Sequence, residues 1–203
     1  MSLIKELTSF WGFKLNKPVK ESIFHNSNVL KISSFGMDGK SHARTPMSTS
    51  VKLISDMARN SINQTMYRSM IGSLLYLTAS RPDIAFSVRV CARFQANPRE
   101  SHLIAVKRIL RYVNAIANFG VYFSRDTNLA LAGYSDADWV GNADDRKSTS
   151  RECFYVETNM VAWMSKKQNS ISPSTVEARY IATGSCCTQL IWMKQLLVDY
   201  GFP

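Results

Sequence analysis

Carboxylates are scarce in this chain of 203 residues: 15 Asp and Glu stand against 25 Lys and Arg, a formal net charge of +10. Cysteine is also sparse. The four thiols (Cys91, Cys153, Cys186, Cys187) form no C-x-x-C pair, and His25, His42 and His102 form no ligand cluster with them. That spacing argues against a disulfide framework or a zinc site and makes reduced thiols the default. The nine glycines are scattered, so no phosphate-cradling loop is present. Long hydrophobic runs are missing too. The longest uncharged stretch is 14 residues, Tyr180 to Met193, too short to span a bilayer. The N-terminal residues lack a signal-peptide pattern, so the expectation is an intracellular chain, cytoplasmic or nuclear, with no membrane partner.

What is there is a foldable composition. Hydrophobic residues make up 45%, which excludes a disordered or collagen-like chain, and the length allows one large domain or two small ones. The charge is uneven. Residues 1–125 hold 18 basic and 6 acidic residues, net +12, whereas residues 126–203 hold 7 and 9, net −2. The first part suits a polyanionic partner such as nucleic acid, and the second gathers carboxylates.

The pattern reads as α+β. A strand is expected near Leu7–Leu15, a short helix near Ser27–Ser34, and a linker over 37–64. Apolar positions 66, 70, 71, 74, 75 and 77 predict a helix over 65–80, broken by Arg81-Pro82. A second helix is expected from Pro82 to Phe94. A third is expected after an Asn97-Pro98 cap and reaches Ala117, with Leu103, Val106, Leu110 and Val113 on its apolar face. Its Lys107, Arg108 and Arg111 form a basic side, read equally well as a solvated face or as a phosphate contact. Strands follow at 119–125, 129–138, 152–157 and 160–165, with a hairpin about Thr158-Asn159. Ser174–Tyr200 reads as a long helix ended by Gly201. The adjacent Cys186 and Cys187 read as buried structural thiols, and Trp139, Trp163 and Trp192 as core, with Trp139 kept open as a stacking platform.

Two features carry chemistry. In Tyr134-Ser-Asp-Ala-Asp-Trp139, Asp136 and Asp138 fall on one face of a strand, where two carboxylates repel unless solvent or a cation screens them. The second is Ser174-Thr-Val-Glu177. It is a capping box by pattern, and it also puts a carboxylate at the N-terminal end of a helix packed on the sheet.

Strand with Asp, two more antiparallel strands, then a helix with Glu is the order of the ribonuclease H fold. The chain resembles the C-terminal part of the Pol polyprotein of plant copia-type LTR retrotransposons. The stretches that carry the resemblance are Tyr67–Ile84, Ser101–Ile109, Gly133-Tyr-Ser-Asp-Ala-Asp-Trp139, Asp145-Arg-Lys-Ser-Thr-Ser150, Trp163-x-Ser-Lys-Lys-Gln168 and Tyr180-Ile-Ala182. By that resemblance, 1–64 is the end of a reverse transcriptase with a linker, 65–118 a helical connection, and 119–203 a truncated ribonuclease H domain. The resemblance implies Asp136 and Glu177 as catalytic residues. It further implies Mg²⁺ held by Asp136, Glu177 and the neighbouring Asp138, with two ions about 4 Å apart cutting the RNA strand of an RNA–DNA hybrid. It implies nucleic-acid contacts at Lys107, Arg108, Arg111, Lys166, Lys167 and Gln168.

The sequence departs from the family at informative places. The third family carboxylate, on the next strand, has no counterpart before Pro203. Asp199 cannot replace it, because it lies about 33 Å along the same helix from Glu177. The family's second Glu in the helix motif is Arg179 here, a cation that opposes metal binding. The family's glycine after Ser-Thr-Ser is Arg151, with Glu152 following, and a positive φ there would be strained. No Tyr-x-Asp-Asp polymerase motif occurs. The expected function is a catalytically impaired fragment that binds RNA–DNA hybrid or duplex. The alternatives are a Mg²⁺-dependent ribonuclease H of reduced activity, or an interaction module whose open sheet edge recruits a second copy or a Pol polyprotein.

Overall fold

A computed structural model describes residues 21–23, 42–48, 52–116, 120–124 and 130–202. The strand expected at Leu7–Leu15 and the helix expected at Ser27–Ser34 lie outside these residues. The described elements are mixed helix and strand. In chain order they are β1 (Glu21–Ile23), α1 (Gln64–Leu77), α2 (Pro82–Ala92), α3 (Glu100–Ala115), β2 (Tyr122–Ser124), β3 (Leu131–Asp138), β4 (Thr149–Val156), β5 (Asn159–Lys167) and α4 (Thr175–Asp199).

Helices α1 to α3 share one core. Tyr67, Ile71 and Leu74 of α1, Ile84 and Val88 of α2, and Val106, Leu110 and Val113 of α3 are all buried in it. Each such side chain contributes about 1.5–3 kcal/mol by leaving water. The α1 cap is Asn63, whose side chain accepts the Met66 N–H at 2.8 Å. Pro82 opens α2 at a position that needs no amide proton. The start of α3 differs from expectation: it begins at Glu100, after Arg99, and not at Asn97-Pro98. Backbone pairing is the reason. Pro98 O accepts from Ile62 N–H, and Glu100 N–H donates to Asn60 O, both at 3.2 Å, so 98–100 is held extended against 60–62. Within the expected linker over 37–64, Leu53 and Ile62 pack against the helical core.

His102 fixes this junction. It is fully buried and stacked on Phe94 with ring centroids 4.0 Å apart. Its Nδ1 accepts the Arg99 N–H at 2.9 Å, which leaves Nε2 to donate to Ile54 O at 2.8 Å.

Strands β3, β4 and β5 form an antiparallel sheet in that order, with β1 and β2 as a separate antiparallel pair. The β4–β5 hairpin turns at Glu157-Thr158, one residue earlier than expected, because Val156 pairs with Asn159. Glu157 takes a φ of 53° there. Asn159 is buried and exchanges two hydrogen bonds with the Ser124 backbone, tying β2 to the sheet.

The register puts Gly133, Ser135 and Glu152 on one face and Tyr134, Asp136 and Arg151 on the other. Helix α4 covers the first face. Gly133 is the point of closest approach: a Cβ there would lie 2.8 Å from Leu190 Cδ1 and 3.0 Å from Cys186 Sγ. The second face meets the helical part. Trp163 Nε1 donates to Thr78 O at 2.8 Å, and Arg93 donates to Thr149 Oγ1 at 2.7 Å. Helix α4 ends as expected at Gly201, with φ +80°. Trp192 is 53% exposed and Cys187 is also exposed, so neither is core; Cys186 is buried as expected.

Candidate functional site

The Asp136 side chain lies on the α2 side of the sheet. Its register partner on β4 is Arg151, whose guanidinium donates to Asp136 Oδ2 at 2.6 Å. The other oxygen, Oδ1, accepts the Ala137 N–H at 2.8 Å. The same guanidinium lies 4.9 Å over the Phe86 ring of α2. Arg151 is extended within β4 and is not one of the positive-φ residues, which corrects the expectation of strain at that position. Two left-handed residues, Val140 (φ 51°) and Arg146 (φ 57°), lie instead in the loop between β3 and β4.

Val140 is a β-branched residue in an unfavourable backbone region, so its loop must be held from outside. It is held at several points. Trp139 Nε1 donates to Ser172 O at 3.1 Å, and the Val140 N–H donates to Ser148 Oγ at 3.2 Å. Lys52 donates to Val140 O at 2.9 Å, and Asp144 Oδ1 accepts from both the backbone N–H and the hydroxyl of Ser55. Asp145 accepts from Asn142, the Lys147 N–H and Lys167. Desolvation raises the Asp145 pKa, but those hydrogen bonds outweigh it and hold the carboxyl below its ordinary value. The Trp139 indole is thus fastened to the loop after β5, and the ring is 40% exposed.

Asp138 shares the face of Asp136, opposite Thr149, and its carboxylate folds over Gly141, where a Cβ would collide with it. Glu177 lies in the first turn of α4, where its N–H donates to Ser174 Oγ at 3.2 Å. Helix α4 packs on the opposite face, as the 3.3 Å contact of Ser135 Oγ with Thr183 Oγ1 shows. Asp136 and Asp138 therefore share one face, while Glu177 is carried by the helix that covers the other. Among the described residues, no group of three or more His, Cys, Asp or Glu side chains is arranged to hold a metal ion. With Asp136 engaged by Arg151 and no third carboxylate beside it among the described residues, this donor set does not fit a pair of magnesium ions.

The six residues expected to touch nucleic acid are dispersed. Lys107, Arg108 and Arg111 lie along α3, where Arg108 donates to Thr45 O and Thr45 Oγ1 at 3.1 and 2.7 Å. Lys166 is exposed, and Lys167 pairs with Asp145. Gln168 corrects the expectation. It is 5% exposed, and its carboxamide is used internally, donating to Ser150 Oγ and Ala178 O and accepting from Ser172. Its role is to fasten the end of β5 to the start of α4.

Glu152 is a buried carboxyl group. It is 4% exposed, between the sheet and α4, and neither carboxylate oxygen makes a well-formed hydrogen bond. Desolvation pushes its pKa up, against the opposing pull of the Ser185 hydroxyl and the Lys166 charge. Sequence reasoning flagged Glu152 only as the residue after Arg151. Its inward direction follows from the strand alternation that puts Arg151 outward. The bonds of His102 to Ile54 O and of Arg93 to Thr149 left no local signal, because they span 48 and 56 residues.

No family model and no solved structure matches the chain. Curated relatives do. It is 38% identical over 157 residues, 77% of its length, to the retrovirus-related Pol polyprotein from transposon RE1 of Arabidopsis thaliana. It is 34% identical over 84% of its length to the Pol polyprotein from transposon TNT 1-94 of Nicotiana tabacum. Secreted RxLR effector protein 161 of Plasmopara viticola is 38% identical over 63% of this chain and 90% of its own length. The chain spans 11% of the RE1 polyprotein and 13% of the TNT 1-94 polyprotein. The likeness to these transposon proteins, over most of the chain, makes it a member of the copia-type retrotransposon Pol polyprotein family.

Proposed function

We propose that residues 130–202 are a ribonuclease H-type unit of a retrotransposon Pol protein that has lost metal-dependent cleavage, and that the chain binds nucleic acid. One observation carries the first half: the Arg151 guanidinium occupies the Asp136 carboxylate at 2.6 Å, at the position where a first metal would need it free. A fixed cation at that distance competes with a metal for the same oxygens. The order of three antiparallel strands and a long helix supports the fold reading. The net +12 of residues 1–125, with Lys107 and Lys166 outside any described ion pair, supports the binding half.

The test is incubation with a labelled RNA–DNA hybrid and Mg²⁺ or Mn²⁺, beside an Asp136→Asn control, with a mobility-shift titration in salt. The expected result is no cleavage and a shift that weakens steeply as salt rises. Cleavage abolished by Asp136→Asn overturns the loss of activity. Absence of a shift at low salt overturns the binding.

A further inference from the structure

Helix α4 has two apolar sides, and the sheet covers one. Ala178, Ala182 and Cys186 are buried against β3 and β4. Diametrically opposite, an outward stripe runs from Val176 to Val198 in steps of four, four, three, four, three and four. That is the rhythm of a helix–helix seam. Val176, Tyr180, Ile191 and Val198 on it are 72%, 81%, 71% and 48% exposed, and Cys187 at its centre is exposed.

We propose that this stripe is a homodimer seam, in which α4 packs antiparallel on α4 of a second copy about a two-fold axis at Cys187. The stripe is self-complementary under that operation. Val176 falls opposite Val198, Tyr180 opposite Lys194, Gly184 opposite Ile191, and Cys187 opposite its own mate. A small residue thus receives a large one, and a ring receives a cation. Lys194 also falls within one turn of Glu177 of the second copy, so the pairing is complementary in charge on both sides of the axis. Parallel pairing would set Lys194 against Lys194 and Glu177 against Glu177.

Gly184 independently points the same way. Glycine inside a helix is unfavourable relative to alanine. Among the described residues, nothing beyond its chain neighbours and the helix's own backbone lies within 4 Å of the place a Cβ would take, so no described contact calls for it. A close-approaching second helix does. The seam is about 33 Å long. It covers on the order of 1,000 Å² in total, near the lower end for a specific interface, so association is reversible.

The experiment is sedimentation equilibrium of the whole chain under reducing conditions, with a short bis-maleimide crosslinker in parallel. Wild type is expected to show a concentration-dependent monomer–dimer equilibrium and to crosslink through Cys187. Ile191→Glu, on an exposed position, is expected to weaken the dimer roughly tenfold or more, with unchanged circular dichroism. Cys187→Ser is expected to keep the dimer and lose the crosslink. A chain that stays monomeric up to several hundred micromolar, a dimer indifferent to Ile191→Glu, or a crosslink that survives Cys187→Ser overturns the proposal.

Discussion

Asp136 and Arg151 stand opposite each other on β3 and β4, and their side chains close that register with a 2.6 Å ion pair seated over Phe86. The pair is about half exposed on both sides, with side-chain exposures of 43% and 56%. Solvent screening makes its contribution to stability small even though it engages Asp136 Oδ2 at short range. Arg151→Ala is expected to cost only about 1 kcal/mol in urea unfolding, lost ion pair and ring contact together. A double-mutant cycle with Phe86→Leu is expected to return a coupling of about 0.5–1 kcal/mol. Zero coupling would mean that the guanidinium does not rest on the ring.

Gly133 sets the distance between sheet and helix. Gly133→Val puts a branched side chain where a Cβ already meets Leu190 at 2.8 Å and Cys186 at 3.0 Å. Overpacking of this kind costs about 1–3 kcal/mol. The thermal midpoint is expected to fall, and Cys186 should react faster with a maleimide as α4 lifts. An unchanged Cys186 rate would show that the helix stays seated.

His102 joins α3 to the segment before α1. His102→Ala leaves Ile54 O and the Arg99 N–H without their partner and opens a cavity beside Phe94. The expected loss is about 3 kcal/mol, read by chemical denaturation. A loss below about 1 kcal/mol would show that the junction relaxes around the gap.

Glu152 makes stability depend on pH. Burial raises its pKa in the folded chain above its unfolded value, so the folded state binds the extra proton between the two. The Glu152 contribution to folding stability is therefore most favourable at and below the ordinary glutamate value, and is lost as pH rises through the folded pKa. Glu152→Gln is expected to flatten that part of the stability–pH curve, and Glu152→Leu to raise stability at neutral pH by about 1 kcal/mol or more. A curve of the same slope in wild type and Glu152→Gln would assign the dependence to another group.

The helices α1, α2 and α4, the three main strands and the Ser174 cap were legible in the sequence, because each rests on local periodicity or on a local turn residue. The start of α3 was not. Asn97-Pro98 is a good cap by pattern, yet backbone bonds from Asn60 and Ile62 hold the next residues extended. Gln168 is expected as a nucleic-acid contact from the Trp163-x-Ser-Lys-Lys-Gln168 resemblance, yet it faces inward. Its partners Ala178 and Ser150 lie 10 and 18 residues away, out of reach of any local rule.

The order of elements and the alternation that sets Asp136 beside Asp138 follow from the sequence alone, since strand period and helix period are properties of the backbone. Tertiary structure decided the rest. Only the β3–β4 register sets Arg151 against Asp136, and only the docking of α4 on the face of Gly133 separates the helix carrying Glu177 from the face of the aspartates. A one-residue slip of either strand would exchange the two faces, because side chains alternate with period two. That is why one array of carboxylates reads as a metal site along the chain and folds as an ion pair on one face of the sheet and a glutamate in the first turn of the helix on the other.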